Sequence, residues 1–149
     1  MKAAMHISLR AGERIYINGA VVRVDRKVSM ELLNDVAFLL ESHVLLAEQA
    51  TTPLRQLYFI VQTMLIDPTK APEARAMFEQ SYALLLVSFK NADVLAGLQR
   101  VHQQISTGKV FDALKIIRGL YAIEEAILAR AQPQAMTTDH NQRELVPCK

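Results

Sequence analysis

Arg14-Ile15-Tyr16-Ile17-Asn18-Gly19-Ala20-Val21-Val22-Arg23-Val24 decides how the chain begins to fold. Asn-Gly between two β-rich runs is a strong hairpin signal, because a type I′ turn needs positive φ at both central residues. A two-residue loop pairs Ile17 with Ala20, Tyr16 with Val21, Ile15 with Val22 and Arg14 with Arg23. One face then carries Ile15, Ile17, Ala20, Val22 and Val24. The other carries Arg14, Tyr16, Val21 and Arg23. Upstream, Ile7-Ser8-Leu9-Arg10 alternates too and predicts a third strand. Placing Leu9 opposite Ile15 and Arg10 opposite Arg14 fits the alternation and requires a bulge or longer loop near Gly12. The polar face of this small antiparallel sheet then holds Ser8, Arg10, Arg14, Tyr16 and Arg23.

Downstream of Lys27 the period changes. Ser29 as N-cap, Glu31 in the first turn, and the stripe Leu32, Leu33, Val36, Leu39, Leu40, Val44 and Ala47 predict a helix to about residue 49. Thr52-Pro53 opens a second helix with the stripe Leu54, Leu57, Tyr58, Val61 and Leu65, closed by Asp67-Pro68. Pro72 opens a third, to about Phe89. Its second half is apolar nearly all round, which predicts a central place in a bundle. Asn91 caps a fourth with Val94, Leu98, Val101 and Ile105 on one face. A fifth runs from about Lys109 to Ala131, with Val110, Leu114, Ile117, Leu120, Tyr121 and Leu128 on its apolar face. The chain therefore reads as α+β: a small N-terminal antiparallel sheet, a bundle of about five α-helices and a flexible C-terminal tail. The domain spans 1–131, with the sheet in 1–28 and the bundle in 29–131, and the tail is 132–149.

Of the 149 residues, 51% are hydrophobic and 21% charged, a globular composition rather than a disordered one. No apolar run is long enough for a membrane span, and Met1 to Arg10 lacks the core of a secretory signal. The single cysteine, Cys148, excludes an internal disulfide. The expected compartment is the cytoplasm. His-Glu-x-x-His, Cys-x-x-Cys and glycine-rich phosphate loops are all missing. His6, His43, His102 and His140 lie on different elements. Glu124-Glu125 reads as a solvated face, because helix neighbours point about 100° apart. These features predict a protein that is not an enzyme and that needs no metal or cofactor.

Charge is unevenly spread. Residues 1–30 hold six basic and two acidic side chains, a net of +4, whereas residues 31–130 carry −2. Arg14 opposite Arg23 costs stability. An anion between them removes that cost, and guanidinium suits phosphate. Arg10, Arg26 and Lys27 extend the charge, and Tyr16 between the arginines offers a ring on which a base can stack. The bland alternative is a solvated face whose arginines protect a sheet edge. A second surface is suggested by apolar surplus in the helices, notably Phe59 and Ile60 beside the main stripe, which fits self-association or a partner helix.

The run Gly12-Glu13-Arg14-Ile15-Tyr16-Ile17-Asn18-Gly19-Ala20, then Val24-Asp25-Arg26-Lys27, resembles the flagellum biosynthesis regulator FlbT family of alphaproteobacteria. So do Glu31-Leu32-Leu33-Asn34 and Thr52-Pro53-Leu54-Arg55-Gln56-Leu57-Tyr58-Phe59. The likeness covers about residues 5–130. It implies a post-transcriptional regulator of flagellin that binds the 5′ untranslated leader of flagellin mRNA, represses translation and promotes mRNA decay. In some relatives the sign is reversed. The resemblance also implies a small partner protein, FlaF. On this reading Arg10, Arg14, Arg23, Arg26 and Lys27 hold RNA phosphates, and Tyr16 or His6 stacks a base. The alternative is a helical protein-binding module that holds flagellin or FlaF and affects the mRNA indirectly. A homo-oligomer is compatible with both.

Overall fold

The computed structural model describes residues 5–34 and 36–145, with side chains through residue 131. The tail expected over 132–149 lies outside the residues described in side-chain detail. Five strands come first: β1 (Met5–Leu9), β2 (Arg14–Ile17), β3 (Ala20–Arg23), β4 (Val28–Leu32) and β5 (Phe38–Leu40). Four helices follow: α1 (Pro53–Ile66), α2 (Ala71–Ser88), α3 (Ala92–Ser106) and α4 (Val110–Leu145).

The hairpin forms in the expected register, with Arg14 opposite Arg23 and Ile17 opposite Ala20. Asn18 at φ 48° and Gly19 at φ 88° supply the two left-handed positions of the turn. The third strand is a correction. β1 does not pair with β2. It pairs with β4, Leu9 opposite Val28 and Met5 opposite Leu32, as a separate two-stranded ribbon. A tight turn, Glu13 N–H to the Arg10 carbonyl at 3.0 Å, sends the chain from one layer to the other, with Gly12 at φ 82°.

The helix expected over 29–49 is also corrected. Its residues form β4, β5 and a loop with two short 3₁₀ turns. The segment satisfies two periods at once. Val28, Met30 and Leu32 alternate with exposed Ser29 and Glu31, and that alternation gives β1 a partner. Phe38-Leu39-Leu40 is unbroken because β5 is covered on both faces. Leu39 joins the helical core, while Phe38 and Leu40 join Ile7, Leu9 and Ile15 between the sheets. The next loop is held by Gln62, a buried side chain that donates to the Leu45 carbonyl and accepts from its N–H, both at 2.7 Å. That pairing substitutes for a strand ladder.

In the bundle, α1 packs on α2 and α4, and α3 packs on α4. Gly97 marks the closest approach: a Cβ there would meet Leu120 of α4 at 2.7 Å. Tyr58 donates to the His43 carbonyl at 2.7 Å and accepts from Arg118 at 2.8 Å, which ties the 3₁₀ loop to α1 and α4. Burial pushes the Tyr58 phenol up, and Arg118 partly opposes this. Burial, reinforced by Arg118, lowers His43. α2 differs from expectation. It lies on the outside of the bundle, and its second half exposes Ala83, Leu84 and Val87.

The reading of Glu124-Glu125 as a solvated face is half corrected. Glu125 is exposed and pairs with Arg55 at 2.6 Å. Glu124 is 1% exposed. It accepts from the Thr52 hydroxyl at 2.6 Å and from the Leu54 N–H at 2.8 Å. Thr52 in turn accepts from the Arg55 N–H at 3.2 Å. Pro53 has no N–H, so the first turn of α1 leaves no amide orphaned. A carboxylate at a helix N-terminus also complements the macrodipole. Replacing Glu124 with alanine strands a buried amide and a hydroxyl. Glu124→Ala should cost about 2–3 kcal/mol in urea unfolding, and Glu124→Gln, which keeps an acceptor, clearly less. Equal stability of Glu124→Ala and the parent would refute this role.

Candidate nucleic-acid interface

The sandwich has two ends. At one lies the Asn18-Gly19 tip, whose Gly19 approaches Pro68 at the α1–α2 turn. At the other lie the turn Arg10–Glu13 and the connection Val24–Lys27. These two segments are laced together by Gly12 N–H to the Val24 carbonyl at 2.7 Å and Val24 N–H to the Glu13 carbonyl at 3.2 Å. That lacing, with the hairpin register, gathers Arg10, Arg14, Arg23, Arg26 and Lys27 at one end of the sandwich. All five are exposed.

They do not share one face. Arg10 and Lys27 continue the outer surface of the ribbon, beyond Ser8 and Ser29. Further along, His6 and Glu31 lie 3.8 Å apart on that surface. Arg14 and Arg23 lie on the opposite side of the β3–β2–β5 sheet, the side that faces the helices. The single polar face expected from sequence is therefore split between two layers and meets only at the end. Tyr16 is half-buried and packs against the helical core beside Leu39. Its ring is largely taken up in the joint between sheet and bundle, so it is not the open stacking platform that its position between the arginines suggested.

Glu13, Asp25 and Glu41 are the acids of this end. Glu13 accepts the Arg10 N–H at 2.9 Å, and Glu41 accepts the Arg14 N–H at 2.8 Å. Both carboxylates are thus oriented by backbone amides rather than by guanidinium groups. Arg26 meets only its neighbour Asp25, at 3.4 Å, with both side chains exposed. Among the described residues, Arg10, Arg14, Arg23 and Lys27 have no carboxylate within ion-pair distance. The ensemble is a positively charged, solvated end with five long flexible cations. It can bind a polyanion, and it offers no nucleophile or acid–base pair. Glu41 was missed in the sequence because it lies 27 residues from Arg14 and was placed in a helix.

The other candidates are dispersed. Ile60 packs against the helical core and Phe59 is half-buried, so the surplus read there is mostly absorbed. His102 stacks on Tyr82 at 4.5 Å and meets Glu79 at 3.1 Å, an α2–α3 contact. His140 and Cys148 lie outside the residues described in side-chain detail. The bundle instead opens a cavity of about 530 Å³ between α1, α4 and the α2–α3 turn, with Phe89, Ile127 and Leu128 on its walls and Lys90 and Arg130 at the rim. Among the described residues no helix is long and apolar enough to cross a membrane, and no group of three His, Cys, Asp or Glu side chains is placed to hold a metal.

Comparison with known proteins adds the following. The family described as "Flagellar protein FlbT" matches residues 5–128. A "Probable flagellum biosynthesis repressor protein FlbT" of Rhizobium etli (strain ATCC 51251 / DSM 11541 / JCM 21823 / NBRC 15573 / CFN 42) is 56% identical over 147 residues, 99% of both chains. The protein of the same name in Agrobacterium fabrum is 52% identical over 147 residues, again 99% of both. That of Mesorhizobium japonicum is 54% identical over 128 residues, 86% of this chain and 87% of its own. No solved structure matches.

The like-charged cross-strand pair sets a measurable tension. Without a polyanion, Arg23→Glu should raise stability by a few tenths of a kcal/mol in thermal melts at low salt, and the gain should fade at high salt. A loss of stability at low salt would show that Arg14 and Arg23 do not repel.

Proposed function

The chain belongs to the FlbT family of flagellar proteins, and on that premise we propose that it regulates flagellin expression by binding the 5′ untranslated leader of flagellin mRNA with the basic end of its sheet sandwich. A regulatory role in flagellar expression follows the relatives, which are named repressors of flagellum biosynthesis. The finer reading rests on one observation. Arg14 and Arg23 stand opposite each other, joined at the same end by Arg10, Arg26 and Lys27, while the nearby carboxylates are oriented by backbone amides. Phosphates between those cations remove the repulsion and gain charge-assisted contacts.

A leader held there is withheld from translation, and an untranslated message is open to decay. Sequence is read on single-stranded RNA by stacking and base-edge contacts. With Tyr16 docked on the bundle, His6 is an exposed ring on the ribbon face that Arg10 and Lys27 continue, about 13 Å along β1 from Arg10. The α1–α4 cavity favours a second reading: an apolar site with two basic rim residues suits a protein partner, flagellin or FlaF, through which the mRNA is affected indirectly.

Nuclease-treated protein titrated with a flagellin leader RNA over a salt series separates the two. Direct binding predicts preference over a scrambled RNA, and log affinity that falls by roughly 0.7 per neutralised phosphate per decade of salt. Arg14→Ala with Arg23→Ala should weaken binding by about tenfold or more and flatten the slope, with an unchanged circular dichroism spectrum. Equal affinity for leader and scrambled RNA would move the function to the cavity.

A further inference from the structure

α2 carries an apolar seam that none of the described residues covers. Met77, Leu84 and Val87 are 55%, 65% and 75% exposed. With Glu73 and Gln80 they follow a 4-3-4-3 spacing, the repeat of helices that pack side by side. The buried residues of α2, Ala74, Phe78 and Leu85, form a separate stripe about 120° around the helix from the seam. Ala76 and Ala83, both exposed, flank the seam and permit close approach of a second helix.

We propose that this seam pairs with the same seam of a second copy of the chain, antiparallel, about a two-fold axis near Tyr82 and Ala83. The seam is self-complementary in that direction. Met77 of one copy then faces Val87 of the other, and Gln80 faces Leu84, so each layer occurs twice. Glu73 begins the seam and Lys90 follows its end, so reversal brings the acid of each copy beside the base of its partner. A parallel pair would instead set Glu73 against Glu73. The 18 residues of α2 span about 27 Å, room for these four layers and the terminal charges. Contact along a single helix pair of that length is small beside an obligate interface, which makes the association weak and concentration-dependent. It lies away from the basic end of the sandwich. A dimer therefore presents two basic ends to one RNA, which raises avidity without new contacts.

Sedimentation equilibrium of the full chain up to about 100 µM tests this, a range that detects micromolar to weaker pairs. The expected result is a reversible monomer–dimer equilibrium. Leu84→Glu should raise the dissociation constant by at least about tenfold. Glu73→Lys should raise it about threefold, and Glu73→Lys with Lys90→Glu should restore it. With Cys148→Ser removing the native thiol, Ala83→Cys should form a disulfide dimer on mild oxidation. A monomer throughout the range overturns the proposal. So does a dimer indifferent to Leu84→Glu, or one that Glu73→Gln strengthens, since neutralising the acid relieves repulsion only in a parallel pair.

Discussion

The pairing of β2 with β5 is the constraint on which the rest of the molecule depends. Neighbouring residues of that pair look in opposite directions. Ile15 and Leu40 fill the space between the sheets, while Tyr16 and Leu39 fill the space against the helices. Ile15 and Leu39 are both completely buried. A one-residue slip would exchange the two sets and ruin both cores. The register that serves packing also serves charge. It fixes where the hairpin ends, and so brings the arginines of β2 and β3 and the cations of two connections to one end of the sandwich. The electrostatic feature is a by-product of how a doubly covered strand pair must align.

What could be read in the sequence follows from how local each signal is. Asn18-Gly19 determines its own turn, so the hairpin and the Arg14–Arg23 pair were legible. Thr52-Pro53 and Asn91 are caps, and the helices after them appeared where expected. Residues 28–40 were not legible, because their apolar positions satisfy a helix and a strand equally. The choice was made by β1, which lacked a partner, and by Gln62, which lies in another element. Tyr16 was misjudged for a related reason. Alternation shows that a residue faces one side of a sheet, but not what covers that side.

The same limit explains Glu124 and α2. A pair of glutamates on a helix is ordinarily solvated, and nothing near it in sequence announces that one will close the first turn of a helix begun 70 residues earlier. An apolar helix is ordinarily central, yet α2 is apolar on the side that faces away from its neighbours. Both cases are decided by the placement of α4 against α1, which leaves α2 as the outer layer.

The Glu124 contact reaches further than stability. Its partners, Thr52 and Leu54, are 72 and 70 residues away in the chain. The first turn of α1 therefore stays incompletely satisfied while the chain is being made, until the first half of α4 has left the ribosome. Contacts of such long range delay the assembly of the native state. The bundle matures as a late event of synthesis, whereas the hairpin depends only on a turn that is local in sequence. The strands that carry the basic end are thus made first, and the helices that share their molecule arrive last.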